Sequence, residues 1–174
     1  MHLPFDGILN AGATVIGRDN VAASIKQHFP SSAVTDPMSA VIAACRDLQV
    51  KRLGVLTPYV SEVSQAMQEL LRYEGFDIVA FGSFEQSDET TVAHITESST
   101  LTAMEDIAKQ EKCDAIFASC TNLRTFSILK QAEEKIGIPV ISSNQALLWH
   151  LLRLSGSKIN IQSYGQLLDQ VVKK

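Results

Sequence analysis

Cysteine is scarce in this chain. Its 174 residues include three: Cys45, Cys113 and Cys120. They form no CxxC pair and no Cys/His ligand spacing, which removes a zinc finger or ribbon. An odd, scattered set also removes a disulfide scaffold and fits a reducing compartment. The four histidines are dispersed, so no metal site is expected. Basic residues are outnumbered, 15 Lys and Arg against 19 Asp and Glu, for a formal net charge of -4. That balance argues against a nucleic-acid partner, which needs a clustered basic face. No apolar run approaches the roughly 18 residues of a membrane span. The opening MHLPFDGILN has neither the basic nor the apolar region of a secretory signal. A cytoplasmic protein with no membrane partner and no cofactor is expected.

What the chain does have is a substantial apolar content, 45%, with 20% charged residues, enough for a real core. Short apolar runs alternate with amphipathic stretches. Strands are predicted at 6–11, 32–36, 51–59, 76–84, 113–119 and 138–143. Helices are predicted at 17–29, 37–49, 61–75, 98–112, 122–137, 144–156 and 164–174. Asp36-Pro37 has the chemistry of a helix start, a capping carboxylate followed by proline in the first turn. Gly75 and Gly156 stand where helices should stop. Cys45 falls on the apolar face of its helix and is expected in the core. Trp149 and His150 are expected to pack, His94 to be solvated, and 133–135 (Glu-Glu-Lys) to form a solvated helix face. The polar stretch 85–98 is long for a connector, and such loops are often functional. Strands alternating with helices of ten or more residues predict an α/β fold with parallel sheets flanked by helices. The near-continuous apolar runs RLGVLT, DAIFAS and PVISS fit strands covered on both faces.

In open parallel sheets, ligands bind beyond the carboxyl ends of the strands. Four such ends read LNAGAT (9–14), TPY (57–59), SCTN (119–122) and SSN (142–144). Hydroxyls, amides, one tyrosine and one cysteine collect there, without a formal charge. That set suits a small anion held by hydroxyls and backbone amides. Helices predicted to start near Thr121 and Asn144 would aim positive dipole ends at the same space. Cys120 would then sit at a helix start, where a thiolate is stabilised. Position alone leaves two readings open: a working thiol, or a buried inert cysteine of the common kind. Asn122 and Asn144 read first as helix caps and second as ligand contacts. Tyr59 reads equally as a ligand-binding hydroxyl or a strand-end aromatic.

Three segments in order, GVLTPYVSEV, CDAIFASCTNLRT and IPVISSNQALLWHLLRL, closely resemble the maleate cis–trans isomerase branch of the aspartate/glutamate racemase superfamily. That branch includes arylmalonate decarboxylase-like proteins and the racemase-like protein of ectoine-utilisation operons. The resemblance covers nearly the whole chain. It implies a two-lobed α/β fold, each lobe built on a parallel sheet, with one cysteine from each lobe facing the substrate across a cleft. It implies a small carboxylate substrate, with Cys120 as the second-lobe cysteine, Tyr59 as a carboxylate contact and Asn144 beside the cleft. Thr57, Thr121, Asn122 and the turn Asn10-Ala11-Gly12 complete the expected substrate-binding set. The loop SDETT (87–91) resembles one that offers an amide to the substrate, and Glu89 stands in that region.

Two departures from the family pattern follow. The first-lobe Cys-Thr-Ser-Gly turn corresponds to LNAGATVIG here, which puts Leu9 where the cysteine belongs. A two-thiol mechanism is then hard to run unchanged. The family's opening strands also have no counterpart, and on the order of 60 to 80 upstream residues are expected to be absent. On this reading 1–49 and 144–174 form a partial first lobe, and 50–143 a complete second lobe carrying Cys120. Exposed sheet edges in the partial lobe predict a homo-oligomer. The leading functional expectation is a cysteine-dependent isomerase or racemase-like enzyme on a small dicarboxylate or amino-acid derivative. The alternatives are a single-thiol decarboxylase and a non-catalytic carboxylate-binding protein.

Overall fold

The computed structural model describes residues 8–9, 18–157, 159 and 161–169. In chain order the elements are β1 (Ile8–Leu9), α1 (Arg18–His28), β2 (Val34–Thr35), α2 (Pro37–Asp47), β3 (Arg52–Tyr59), α3 (Ser61–Tyr73) and β4 (Asp77–Gln86). They continue with α4 (Glu89–His94), α5 (Glu97–Gln110), β5 (Ala115–Ala118), α6 (Leu129–Ile136), β6 (Val140–Ser142), α7 (Ser143–Leu154) and α8 (Gln166–Asp169). The main sheet has four strands in the order β4-β3-β5-β6, and every pairing in it is parallel. A second, two-stranded parallel sheet pairs β1 with β2. The protein is thus an α/β fold of parallel sheet flanked by helices.

Period-two alternation sorts the strand side chains between two cores. Leu53, Val55, Phe117 and Ile141 face one side, where they meet Met38, Val41 and Cys45 of α2, Met67 and Leu71 of α3, and Trp149 of α7. Leu56, Ile116, Ala118 and Val140 face the other, against Met104 and Ile107 of α5 and Leu129 and Ala132 of α6. Burial on both faces explains the continuous apolar runs. Gly54 lets α5 come down on the sheet: a Cβ there would meet Ile107 Cγ2 at 2.9 Å. Pro58 falls at a register shift between Thr57 and Tyr59, beyond the residues that pair with β5. A strand tolerates proline there, because no ladder hydrogen bond is lost. The outer strand β4 is partly closed by Gln110, whose side-chain amide accepts from Phe81 N at 3.2 Å and donates to Phe81 O at 3.3 Å.

Local signals hold at several ends. Asp36 caps α2 by accepting from Ser39 N at 2.9 Å, with Pro37 in the first turn. Gly75 and Gly156 follow their helices with positive φ. Elsewhere the structure corrects the expectations. The stretch 85–98 is no simple loop: Asp88 Oδ2 accepts from Thr91 N at 2.7 Å and starts α4, and Thr96 caps α5. The helix expected over 122–137 begins at Leu129, after a 3-10 turn at Phe126–Ile128. Burial of Leu123 and Thr125 accounts for this, since both are drawn inward by the segment 119–125. Glu133 is not on a solvated face. It is 8% exposed, accepting from Val140 N at 3.0 Å and from Gln166 N at 2.8 Å. Burial pushes its carboxyl up, and the two amide bonds pull it back. With Gln145, which donates to Tyr164 O at 2.6 Å, it ties the 164–169 segment to α6 and α7. The final helix is short, and 170–174 lie outside the described residues.

His150 packs as expected, half-buried, with Nδ1 2.8 Å from Thr35 Oγ1 at the end of β2. Burial first, and then the Arg153 guanidinium, hold its ring below the ordinary value of 6.5, while Asp36 acts in the opposite direction. A depressed folded value favours the neutral ring. Its contribution to stability is therefore complete above pH 6.5 and is lost as pH falls through the folded value. Urea unfolding at pH 7 and pH 5 should show a loss on acidification that is smaller in His150→Gln. An equal loss in both proteins would exclude this role.

Candidate active site at the carboxyl ends of the sheet

The register of the main sheet decides what meets at its carboxyl edge. Leu56 pairs with Ala118, and Ser119 N extends the ladder by donating to Leu56 O at 2.8 Å. Three residues past Leu56 comes Tyr59; two past Ala118 comes Cys120. The side chains converge there, with Tyr59 packed against the cluster that holds the Cys120 thiol. Asn122 N donates to Cys120 Sγ at 3.2 Å, and Cys120 N donates to Ser143 Oγ, at the start of α7, at 3.1 Å. Val92, Leu123, Phe84 and Ile95 make an apolar surround for the thiol, which is on a residue only 4% exposed.

Burial is the first reason the Tyr59 hydroxyl is pushed up and kept protonated. The neighbouring Cys120 is the second, and the Glu89 carboxylate adds to it, while Ser119 acts the other way. Tyr59 is therefore a fixed donor. Its own position is set by its carbonyl, which accepts from Ser64 Oγ at 3.1 Å and from Ser83 Oγ at 2.5 Å.

The expected site residues divide into four groups. Cys120, Tyr59 and Asn122 come together. Thr121 and Asn144 are joined next to them, with Asn144 Nδ2 donating to Thr121 O at 2.8 Å. Thr57 lies behind the edge, 0% exposed, its hydroxyl 2.7 Å from that of Ser64. Asn10, Ala11 and Gly12 lie outside the described residues. Neither asparagine is a helix cap. Ser142 caps α7 in a capping box with Gln145, and Asn122 Nδ2 donates to Glu89 O at 2.9 Å and Glu89 Oε2 at 3.3 Å. Nor does Cys120 sit at the start of α6, which begins nine residues later; the sulfur's amide partner comes from its own loop. The sequence locates Glu89 only within the loop 87–91. The signal for its position was the Asp88 cap that starts α4.

The other two thiols stand apart. Cys45 is in the core, where burial pushes it up to about 12. Cys113 precedes β5 at the opposite end of the strand, also pushed up, by burial first and then by the Asp114 charge.

Cys120 has φ +102°, in a region that favours glycine. Such backbone costs about 1–3 kcal/mol and persists where the surroundings impose it. Cys120→Gly should therefore relieve strain that offsets the lost thiol contacts. Chemical denaturation should place it within about 1 kcal/mol of the parent protein, with alanine less stable than glycine. If glycine is the less stable of the two, the strain is not there.

Residues 19–168 match the family described as arylmalonate decarboxylase (Amdase). The maleate isomerase of Nocardia farcinica is 25% identical over 150 residues, 86% of this chain and 60% of that protein. The arylmalonate decarboxylase of Bordetella bronchiseptica is 27% identical over 139 residues, 78% of this chain and 58% of that protein. The chain thus spans about 60% of the length of these curated relatives. A variant of the Nocardia farcinica maleate cis–trans isomerase, with a covalently bound succinylcysteine intermediate, superposes with a TM-score of 0.86. It is 22% identical, and the match covers 96% of this chain and 71% of that one. The fold is that of these racemase-like neighbours, and with most of its length matched, the chain belongs to the arylmalonate decarboxylase family.

Proposed function

We propose that this protein is a cofactor-independent, cysteine-dependent enzyme of the isomerase type, acting on a small carboxylate substrate, with Cys120 as the reacting group. The observation that carries this reading is the meeting of Tyr59, packed against the cluster that holds Cys120, with the Asn122 amide on the Cys120 sulfur at the carboxyl ends of β3 and β5. The succinylcysteine seen in the related isomerase supports a covalent role for such a sulfur.

Starting from the thiolate, Cys120 forms a C–S bond to one alkene carbon of an unsaturated carboxylate. The π electrons pass to the other carbon and its carboxylate as an enediolate. The central bond is now single and rotates. The electron pair then returns, the C–S bond breaks, and the trans alkene and the thiolate are restored. No proton, oxidant or second thiol enters the balance. Asn122 N–H faces the sulfur that regains the charge, and Tyr59 donates to the developing oxyanion. Asn144 and Thr121, joined beside the thiol, and the turn at Asn10, Ala11 and Gly12 are proposed carboxylate contacts.

A second reading is favoured by the single thiol that this chain brings to the site. A malonate-type substrate loses carbon dioxide to leave an enediolate. The Cys120 S–H then gives its proton to carbon, and the sulfur regains one from water.

Proton NMR in heavy water separates these readings with maleate, an arylmalonate and aspartate as substrates. Turnover of at least one is expected. Cys120→Ser should reduce it at least about a thousandfold, and Tyr59→Phe about a hundredfold. Appearance of the trans alkene supports the isomerase, and a labelled monoacid the decarboxylase. Failure of all three would favour a carboxylate-binding protein without catalysis.

A further inference from the structure

Glu89 introduces a charge that the strand-end composition lacked. It is the first residue of α4, exposed, and latched by Asn122 through both its backbone and its side-chain oxygen. Asn122 in turn donates its backbone amide to Cys120 Sγ. One residue therefore connects the thiol to the carboxylate. Among the described side chains hydrogen-bonded to Cys120, Tyr59 or Asn122, Glu89 alone carries a full formal charge at neutral pH. The described ion pairs all lie elsewhere, on Arg46, Arg52, Lys109, Lys135 and Arg153. A carboxylate has about four acceptor positions, and the single side-chain bond from Asn122, at 3.3 Å, leaves most of them open.

A carboxylate with no ion-pair partner among the described residues, beside an apolar-walled thiol, works against a second substrate carboxylate and in favour of a cation. Resting on the reading of Cys120 as the reacting group, we propose that Glu89 is the specificity-determining residue of this site. It selects a small carboxylate that also carries a protonated amine, placed on the α4 side, over a dicarboxylate. The ammonium group donates to Glu89, while the substrate carboxylate lies toward the hydroxyl and amide groups of the other strand ends.

Succinate and β-alanine make a matched pair of probes, the same two-carbon spacer with a carboxylate or an ammonium at the second end. Calorimetric titration at pH 7 should show β-alanine binding about tenfold more tightly than succinate, the scale of one partly dehydrated charge interaction. Glu89→Gln keeps an oxygen for Asn122 and should remove that preference. Glu89→Asp keeps the charge and should retain most of it. A wild-type preference for succinate, or a ratio unchanged in Glu89→Gln, overturns the inference and leaves the thiol chemistry standing. If neither probe binds and no substrate turns over, the Cys120 site itself is overturned, and this inference with it.

Discussion

The parallel pairing of β3 with β5 is the constraint on which the site depends. A parallel ladder advances both strands in the same direction, so their carboxyl ends arrive together. The Leu56–Ala118 pair and the amide of Ser119 set the depth at which they stop. Tyr59 and Cys120 are sixty-one positions apart in sequence and meet because of that register. A one-residue slip would turn both side chains to opposite faces of the sheet. The register is held in turn by burial on two sides, with Leu53, Val55 and Phe117 in one core and Leu56, Ile116 and Ala118 in the other.

Around this edge, small polar groups are spent on holding backbone in place. Ser64 and Ser83 fix the Tyr59 carbonyl, Ser143 accepts from the Cys120 amide, and Asn144 holds the Thr121 carbonyl. The cysteine can then occupy a backbone conformation that it would not choose alone. The proposed reacting group thus stands where local backbone preference is overruled. The same segment pulls Leu123 under α4, which joins a second element to the thiol and brings a carboxylate with it.

Much of the architecture was legible from pattern. Apolar runs of strand length alternating with longer amphipathic segments specify parallel α/β layers, and Asp36-Pro37 marks a helix start by its own chemistry. That Cys120 and Tyr59 would meet at one sheet edge was legible because the strand ends could be located in the sequence. The start of α6 was not. The sequence after Cys120 is compatible with a helix, and burial of Leu123 and Thr125 competes with it and wins. Glu133 was misplaced for a related reason: its two amide partners, Val140 and Gln166, come from segments that only packing brings near.

By itself, then, the sequence determined the layers, the strand ends and the chemical types available at them, because periodicity, caps and turn residues act over a few neighbours. Tertiary structure alone decided the partners. That the Cys120 sulfur is served by Asn122 rather than by a helix start, and that Glu89 reaches the site through Asn122, depends on contacts across the sheet edge. Such contacts are set by register and burial over tens of residues, and no local pattern encodes them.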